Sequence, residues 1–190
     1  MSRIDSQVID PAALEPAARQ ELIDELYATH SEMFAGVSRE EFRKYVVDSP
    51  AERTRIQVYR HAGRVVGYFA VHTFVRVIAG ERWVVFRAEN GKLPNFRHGA
   101  KATVMIAEVL RACLRYPRAR KAYLGCFVHP AAYVVMGQTA PEIYPHWSKP
   151  TPAPMQRAMD TLAGAFGLDR VDPSRAEVRK VGWITREDQA

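Results

Sequence analysis

The stretch Leu93-Pro94-Asn95-Phe96-Arg97-His98-Gly99-Ala100-Lys101-Ala102 decides how this chain is read. Before it, Arg82-Trp-Val-Val-Phe86 is β-branched and aromatic, as a strand should be. After it, Thr103, Ile106, Leu110 and Leu114 recur at helical spacing, with Ala107 and Cys113 widening the stripe. The junction holds one glycine and two alanines and no carboxylate. A strand passing through small residues into a helix leaves first-turn N–H groups unpaired and pointing outward. Those donors, the helix dipole and the cations of Arg97 and Lys101 make an anion site suited to a pyrophosphate.

The rest of the chain bounds what such a site can serve. It has 190 residues, enough for one domain with a core, and 47% apolar with 25% charged residues suits a globular protein. No apolar run approaches the roughly 18 residues of a membrane span. Met1-Ser-Arg-Ile-Asp5 lacks the apolar segment of a signal peptide, so a cytoplasmic protein is expected. Cys113 and Cys126 fall in an expected helix and strand and read as reduced core thiols. No spacing suggests a metal site, and none is expected. The net charge of +6 favours an anionic partner. Lys92, Arg97 and Lys101 gather at the junction, while Arg111, Arg115, Arg118, Arg120 and Lys121 follow along and after the helix.

Working outward, Arg3 to Ile9 suggests a first strand. Asp10-Pro11 suggests a capped helix to about Phe34, and Ser38-Arg-Glu-Glu41 a capping box opening a helix through Val47. Strands from Arg55 to Arg60, Val65 to Ile78 and Arg82 to about Ala88 are joined by tight turns, which makes an antiparallel meander. A helix from about Ala100 to Tyr116 and a strand from Lys121 to Val128 complete a parallel crossover. A helix starts at His129-Pro130 and runs to about Thr139. Pro141, Pro145, Pro150, Pro152 and Pro154 then impose an extended ordered loop, with Ile143 to Trp147 covering one end of a cleft or simply a sheet edge. A helix from Pro154 to Phe166 and a strand from Val178 to Ile184 close the chain.

This order, with Pro94-Asn-Phe-Arg-His-Gly-Ala-Lys-Ala102 inside it, resembles the GCN5-related N-acetyltransferases, the GNAT superfamily. That superfamily carries Pro-x-(Tyr/Phe)-Arg-Gly-x-Gly-x-(Gly/Ala) where its fourth strand meets its third helix. Pro94, Phe96, Arg97 and Ala102 match, while His98 and Ala100 stand where glycine is usual. A second signature, Asn-x-x-Ala-x-x-Leu-Tyr, maps onto His129, Ala132, Val135 and Met136, so methionine replaces the customary acid tyrosine. Tyr133 lies three positions earlier, close to one helical turn away.

The resemblance covers roughly residues 12 to 137 and implies one α/β (α+β) domain over residues 1–190. A mostly antiparallel mixed central sheet is flanked by helices, with the core in about 1–140 and the proline-rich loop, helix and closing strand in 141–190. It implies an acyl-CoA cosubstrate, acetyl-CoA first among these, and an amine-bearing acceptor. Main-chain N–H groups of Arg97, His98, Gly99, Ala100, Lys101 and Ala102 would hold the pyrophosphate, and the pantetheine arm would pair with strand backbone from Asn90 to Leu93. A homodimer stays open. The alternative is a non-catalytic binder, either an acyl-CoA sensor or a basic nucleic-acid-binding protein, although the aromatics form no base-stacking pattern.

Acyl transfer from a thioester to an amine needs a base, oxyanion donors and a leaving thiolate. Glu89, ending the third meander strand, is the candidate base, unless it is a solvated strand-end carboxylate paired with Arg87 or Lys92. Glu81, in a hairpin turn, is weaker. His129, at the end of a buried-looking strand, either acts as base or positions substrate, or caps the next helix. Tyr133 is the candidate thiolate acid or a core tyrosine, and His72 reads as a satisfied core histidine.

Overall fold

In a computed structural model, residues 4–97, 101–128, 130–140, 142–172 and 178–186 are described. The expected sites His98, Gly99, Ala100 and His129 lie outside them. Strand β1 (Asp5–Ile9) leads to a short 3-10 turn, Pro11–Ala13, capped by the Asp10 carboxylate at 3.2 Å from Ala12 N. Pro16 then starts α1 (Pro16–Met33), so the single helix expected from Pro11 is split by its second proline. After the two-residue strand β2 (Phe34–Ala35), the Ser38–Glu41 capping box forms as expected. It opens α2 (Arg39–Phe42), which widens into a π-helical turn over Arg43–Val47.

The meander is β3 (Arg53–His61), β4 (Arg64–Ile78) and β5 (Glu81–Lys92). It is followed by α3 (Val104–Arg115), β6 (Arg120–Tyr123), α4 (Pro130–Thr139), α5 (Ala153–Ala165) and β7 (Ile184–Thr185). The main sheet has the order β1-β3-β4-β5-β6, antiparallel except for the parallel β5–β6 pair. The last strand corrects the expectation of Val178 to Ile184. Only Ile184–Thr185 forms a strand there, pairing with Phe34–Ala35 rather than with the main sheet, while Arg179 makes an isolated antiparallel bridge to Arg170.

Alternation along β4 sorts the core. Tyr68 and Ala70 face α1 and α2 with Leu22, Leu26, Phe42 and Val46. Phe74 and Ile78, on the same face farther along, receive Ala158 and Leu162 of α5. The opposite face presents Val71 and Phe69 to α3.

The orientation of α3 reverses an expectation. Val104, Glu108 and Ala112 face the sheet, flanked by Met105 and Val109. Ile106, Leu110 and Leu114 point outward, with Leu114 85% exposed. The helix is apolar on two sides, and periodicity alone cannot say which turns inward. An ion pair helps decide it, since the nearly buried Glu108 meets Arg53 of β3 at 2.9 Å. Cys113 is exposed on this outer side and Cys126 is half-buried beyond β6, so neither is the fully buried core thiol expected.

Candidate active site

The site follows from the length of β5. Its pairing with β6 ends at Phe86–Tyr123, yet its pairing with β4 continues to Lys92. Leu124 N–H donates to Phe86 O at 2.9 Å, and Leu93 N–H donates to Val66 O at 2.9 Å. Backbone groups alternate sides along an antiparallel strand. Those of Ala88 and Asn90 therefore face the opening where β6 diverges, and no strand among the described residues pairs with them there. By sequence, β5 is expected to end at about Ala88 and the next strand to run to Val128; β5 in fact reaches Lys92 and β6 stops at Tyr123. The divergence after Tyr123 makes the first strand longer and the second shorter. Of the two residues expected to meet a pantetheine arm, Asn90 turns its backbone to the opening, whereas Leu93 is buried and bonded to β4.

Glu89 lies within this unzipped segment. The cross-strand pairs Arg87–His72, Glu89–Ala70 and Gly91–Tyr68 place its side chain on the α1, α2 and α5 face. Its side chain is 22% exposed, and its Oε1 lies 3.4 Å from Arg87 Nη2. Burial pushes the carboxyl up to about 7, while the Arg87 guanidinium pulls the other way. The ion pair considered from sequence is thus present, but too long to offset burial. A carboxyl poised near neutrality beside an opening suits general base work.

Arg87 organises what surrounds it. Its guanidinium lies 4.9 Å from the centre of the Phe166 ring, just past α5, and Phe166 packs edge-on against Phe74 at 4.8 Å. Burial raises the pKa of the Cys126 thiol, and the Arg87 charge pulls the other way. Tyr123, at the end of β6, has its phenol pushed up to about 12 by burial and by Glu89. His72 is buried, its Nδ1 3.0 Å from Thr54 Oγ1 and its Nε2 without a partner among the described residues. Burial and the Arg87 charge hold it down to about 3, so it is neutral at physiological pH. It is a core histidine satisfied at one nitrogen only. Glu81, the weaker base candidate, starts β5 and pairs with Arg120 at 2.7 Å, at the end of the strand away from Glu89.

The start of α3 departs from expectation. The helix begins at Val104 rather than Ala100, and its first donors are occupied. Gln57 of β3 accepts from Thr103 N at 3.0 Å and Val104 N at 3.3 Å through Oε1, and donates from Nε2 to Lys101 O at 3.1 Å. Tyr59 adds a hydroxyl bond to the same carbonyl at 3.4 Å. Arg97 ends the 3-10 turn Pro94–Phe96, its N–H 3.4 Å from Pro94 O, with an exposed side chain. Lys101 is exposed and Ala102 half-buried at the helix approach. Gln57, 46 residues before Thr103, carried no local signal. Arg87 did carry one, standing two residues before Glu89 on the same face of a strand.

Tyr133, on α4, donates its hydroxyl to Pro145 O at 2.8 Å and packs edge-on against Trp147 at 5.7 Å. Gly137, one turn on, seats the indole: a Cβ there would lie 2.0 Å from Trp147 Cζ3. The proline-rich loop is therefore docked on α4.

No protein-family model matches this chain, and no curated protein does. Among solved structures, aminoglycoside acetyltransferase AAC(6')-Iy in complex with the bisubstrate analogue CoA-S-monomethyl-acetylneamine is similar at a TM-score of 0.50. The identity is 13%, over 80% of this chain and 99% of that one. The fold is that of the GNAT acetyltransferases. Also similar are a ribosomal-protein-alanine N-acetyltransferase from Brucella melitensis biovar Abortus 2308 and AAC(6')-Ih from Acinetobacter baumannii. The first has a TM-score of 0.46 at 12% identity over 78% of this chain and 98% of that one. The second has 0.47 at 11% over 78% and 99%. With the GNAT fold assigned, the opening between β5 and β6, Glu89 beside it and the approach to α3 form the candidate site. No helix among the described residues is long and apolar enough to cross a membrane.

Proposed function

We propose that this chain is an acyl-CoA-dependent N-acyltransferase that moves an acyl group, acetyl first among the candidates, to an amine by direct attack. The observation that carries the reading is Glu89. It is a carboxyl raised to about 7 on the part of β5 that has lost its β6 partner. The pantetheine amides of acyl-CoA would pair with the backbone of Ala88 and Asn90, and the diphosphate would meet the approach to α3 at Arg97, Lys101 and Ala102. The CoA thioester supplies the activated acyl carbon. Glu89 takes a proton from the acceptor ammonium, the freed amine forms the C–N bond, and the C–S bond breaks. The acylated nitrogen gives up its second proton, and the leaving thiolate takes up one proton, so the products are the amide and free thiol. Tyr133 serves as the thiolate's acid only by exchanging the Pro145 carbonyl for the sulfur.

The test is release of free thiol from acetyl-CoA in the presence of single primary amines, covering amino-acid, aromatic, peptide N-terminal and aminoglycoside classes. Acceptor-dependent release above hydrolysis is expected for at least one class. Hydrolysis alone with every class would remove the enzyme reading. One observation favours a second reading, an acyl-CoA sensor without turnover: Gln57 already occupies the N–H groups of Thr103 and Val104. Binding of acetyl-CoA without turnover would select it.

A further inference from the structure

The outer side of α3 is unexplained by acyl transfer. Between it and the β1–β3 edge runs a groove of about 830 Å³, on the sheet face opposite Glu89. Its floor and walls include Val8, Ala107, Leu110 and Leu114, three of them large apolar side chains at least 49% exposed. Its rim is cationic. Arg53 and Arg55 line it but are engaged by Glu108 at 2.9 Å and Asp10 at 2.6 Å. Arg111 and Arg115, one helical turn apart, are exposed and have no carboxylate partner among the described residues. A helix apolar on both sides is normally covered on both.

We propose that this groove binds an acidic amphipathic helix of a partner protein, with leucine-like residues against Val8, Leu110 and Leu114 and carboxylates against Arg111 and Arg115. The charge selects this occupant. A second copy docked about a twofold axis would offer this same patch, whose carboxylates Glu108 and Asp10 are already held by Arg53 and Arg55, leaving none for Arg111 and Arg115. The concavity separates it from a bilayer surface, which a convex amphipathic helix would meet. The 12-residue α3, about 18 Å long, matches three turns of a partner helix with anchors at i, i+4 and i+7.

The probe is an 18-residue fluorescent helical peptide with leucines at i, i+3, i+4 and i+7 and glutamates at its other exposed positions, read by anisotropy against the whole chain. Expected is saturable binding that weakens as salt rises from about 50 to 500 mM. The same peptide with lysines for glutamates should bind about tenfold more weakly. Leu110→Glu and the pair Arg111→Glu with Arg115→Glu should each cost about tenfold while leaving the melting temperature in place, since all three side chains are exposed. Equal affinity for the two peptides, or no binding by either, overturns the proposal. So does sedimentation showing a dimer that Leu110→Glu dissolves. Binding to vesicles of anionic lipid that exceeds binding to the acidic peptide overturns it too.

Discussion

Replacing Glu89 by Gln removes a charge but little volume, and it should lower turnover and raise stability together. A buried carboxyl that ionises at about 7, against 4.5 without the fold, is ionised at a cost. Each unit is worth about 1.4 kcal/mol, so the full difference is about 3 kcal/mol. The sign follows from the protons held. Between pH 4.5 and 7 the folded chain keeps a proton that the unfolded chain has lost, so stability falls as pH rises through that window. The amide of the Glu89→Gln variant carries no such cost. Above pH 7 the variant should gain up to about 3 kcal/mol, or roughly 6–12 °C in melting temperature for a chain of this size.

Catalysis moves the other way. A positioned general base contributes about 10²–10⁴-fold, so kcat should drop by that factor while acetyl-CoA affinity holds. In the wild type, kcat/KM should rise about fivefold from pH 6 to pH 7, about tenfold in all by pH 8, and flatten above, as Glu89 gives up its proton. Differential scanning fluorimetry at pH 6 and pH 8, with stopped-time thiol release, reads all three. Unchanged turnover in the variant would refute Glu89 as base. A loss of stability at pH 8 would refute its placement in a desolvating site.

Three further outcomes follow from named contacts. Gln57→Ala should cost about 1–3 kcal/mol in urea unfolding, because the buried donor of Val104 and the part-buried donor of Thr103 lose their acceptor. A neutral result would mean that they find another acceptor. Gly137→Ala should displace the Trp147 indole, shifting its emission to the red and costing about 1–3 kcal/mol, and an unchanged spectrum would contradict the docking of the loop on α4. His72→Leu should flatten the acid limb of stability. The folded imidazole titrates at about 3 and the unfolded one at 6.5, so stability is lost as pH falls between them. Between pH 6.5 and pH 5 the gap between variant and wild type should move by about 2 kcal/mol in the variant's favour. A gap that stays constant would place His72 in water.

Much of the fold was legible because its signals are local. The Ser38–Glu41 capping box and the alternation from Arg64 to Ile78 each declare a structure within a short stretch of chain. What failed to show depends on partners far away in the chain. The facing of α3 turns partly on Arg53 meeting Glu108, and its start turns on Gln57, a strand residue whose amide side chain could equally have faced water. The extent of β5 and β6 is set by where the two strands part, which no residue in either announces. At the site, Glu89 was readable as a strand-end carboxylate. Its perturbed acidity arises from the burial around it and outweighs the opposing charge of Arg87. Tyr133 was placed on a helix as expected, but the direction of its hydroxyl depends on a loop 12 residues on.

The central claim is that the opening beside Glu89 receives an acyl-CoA. Calorimetric titration with acetyl-, butyryl- and palmitoyl-CoA, with free CoA alongside, tests it most directly. The account predicts micromolar binding of acetyl-CoA, weakened by Lys101→Glu at the approach to α3 and retained in Glu89→Gln. No heat with any of the four ligands, in a chain shown to be folded, would contradict it.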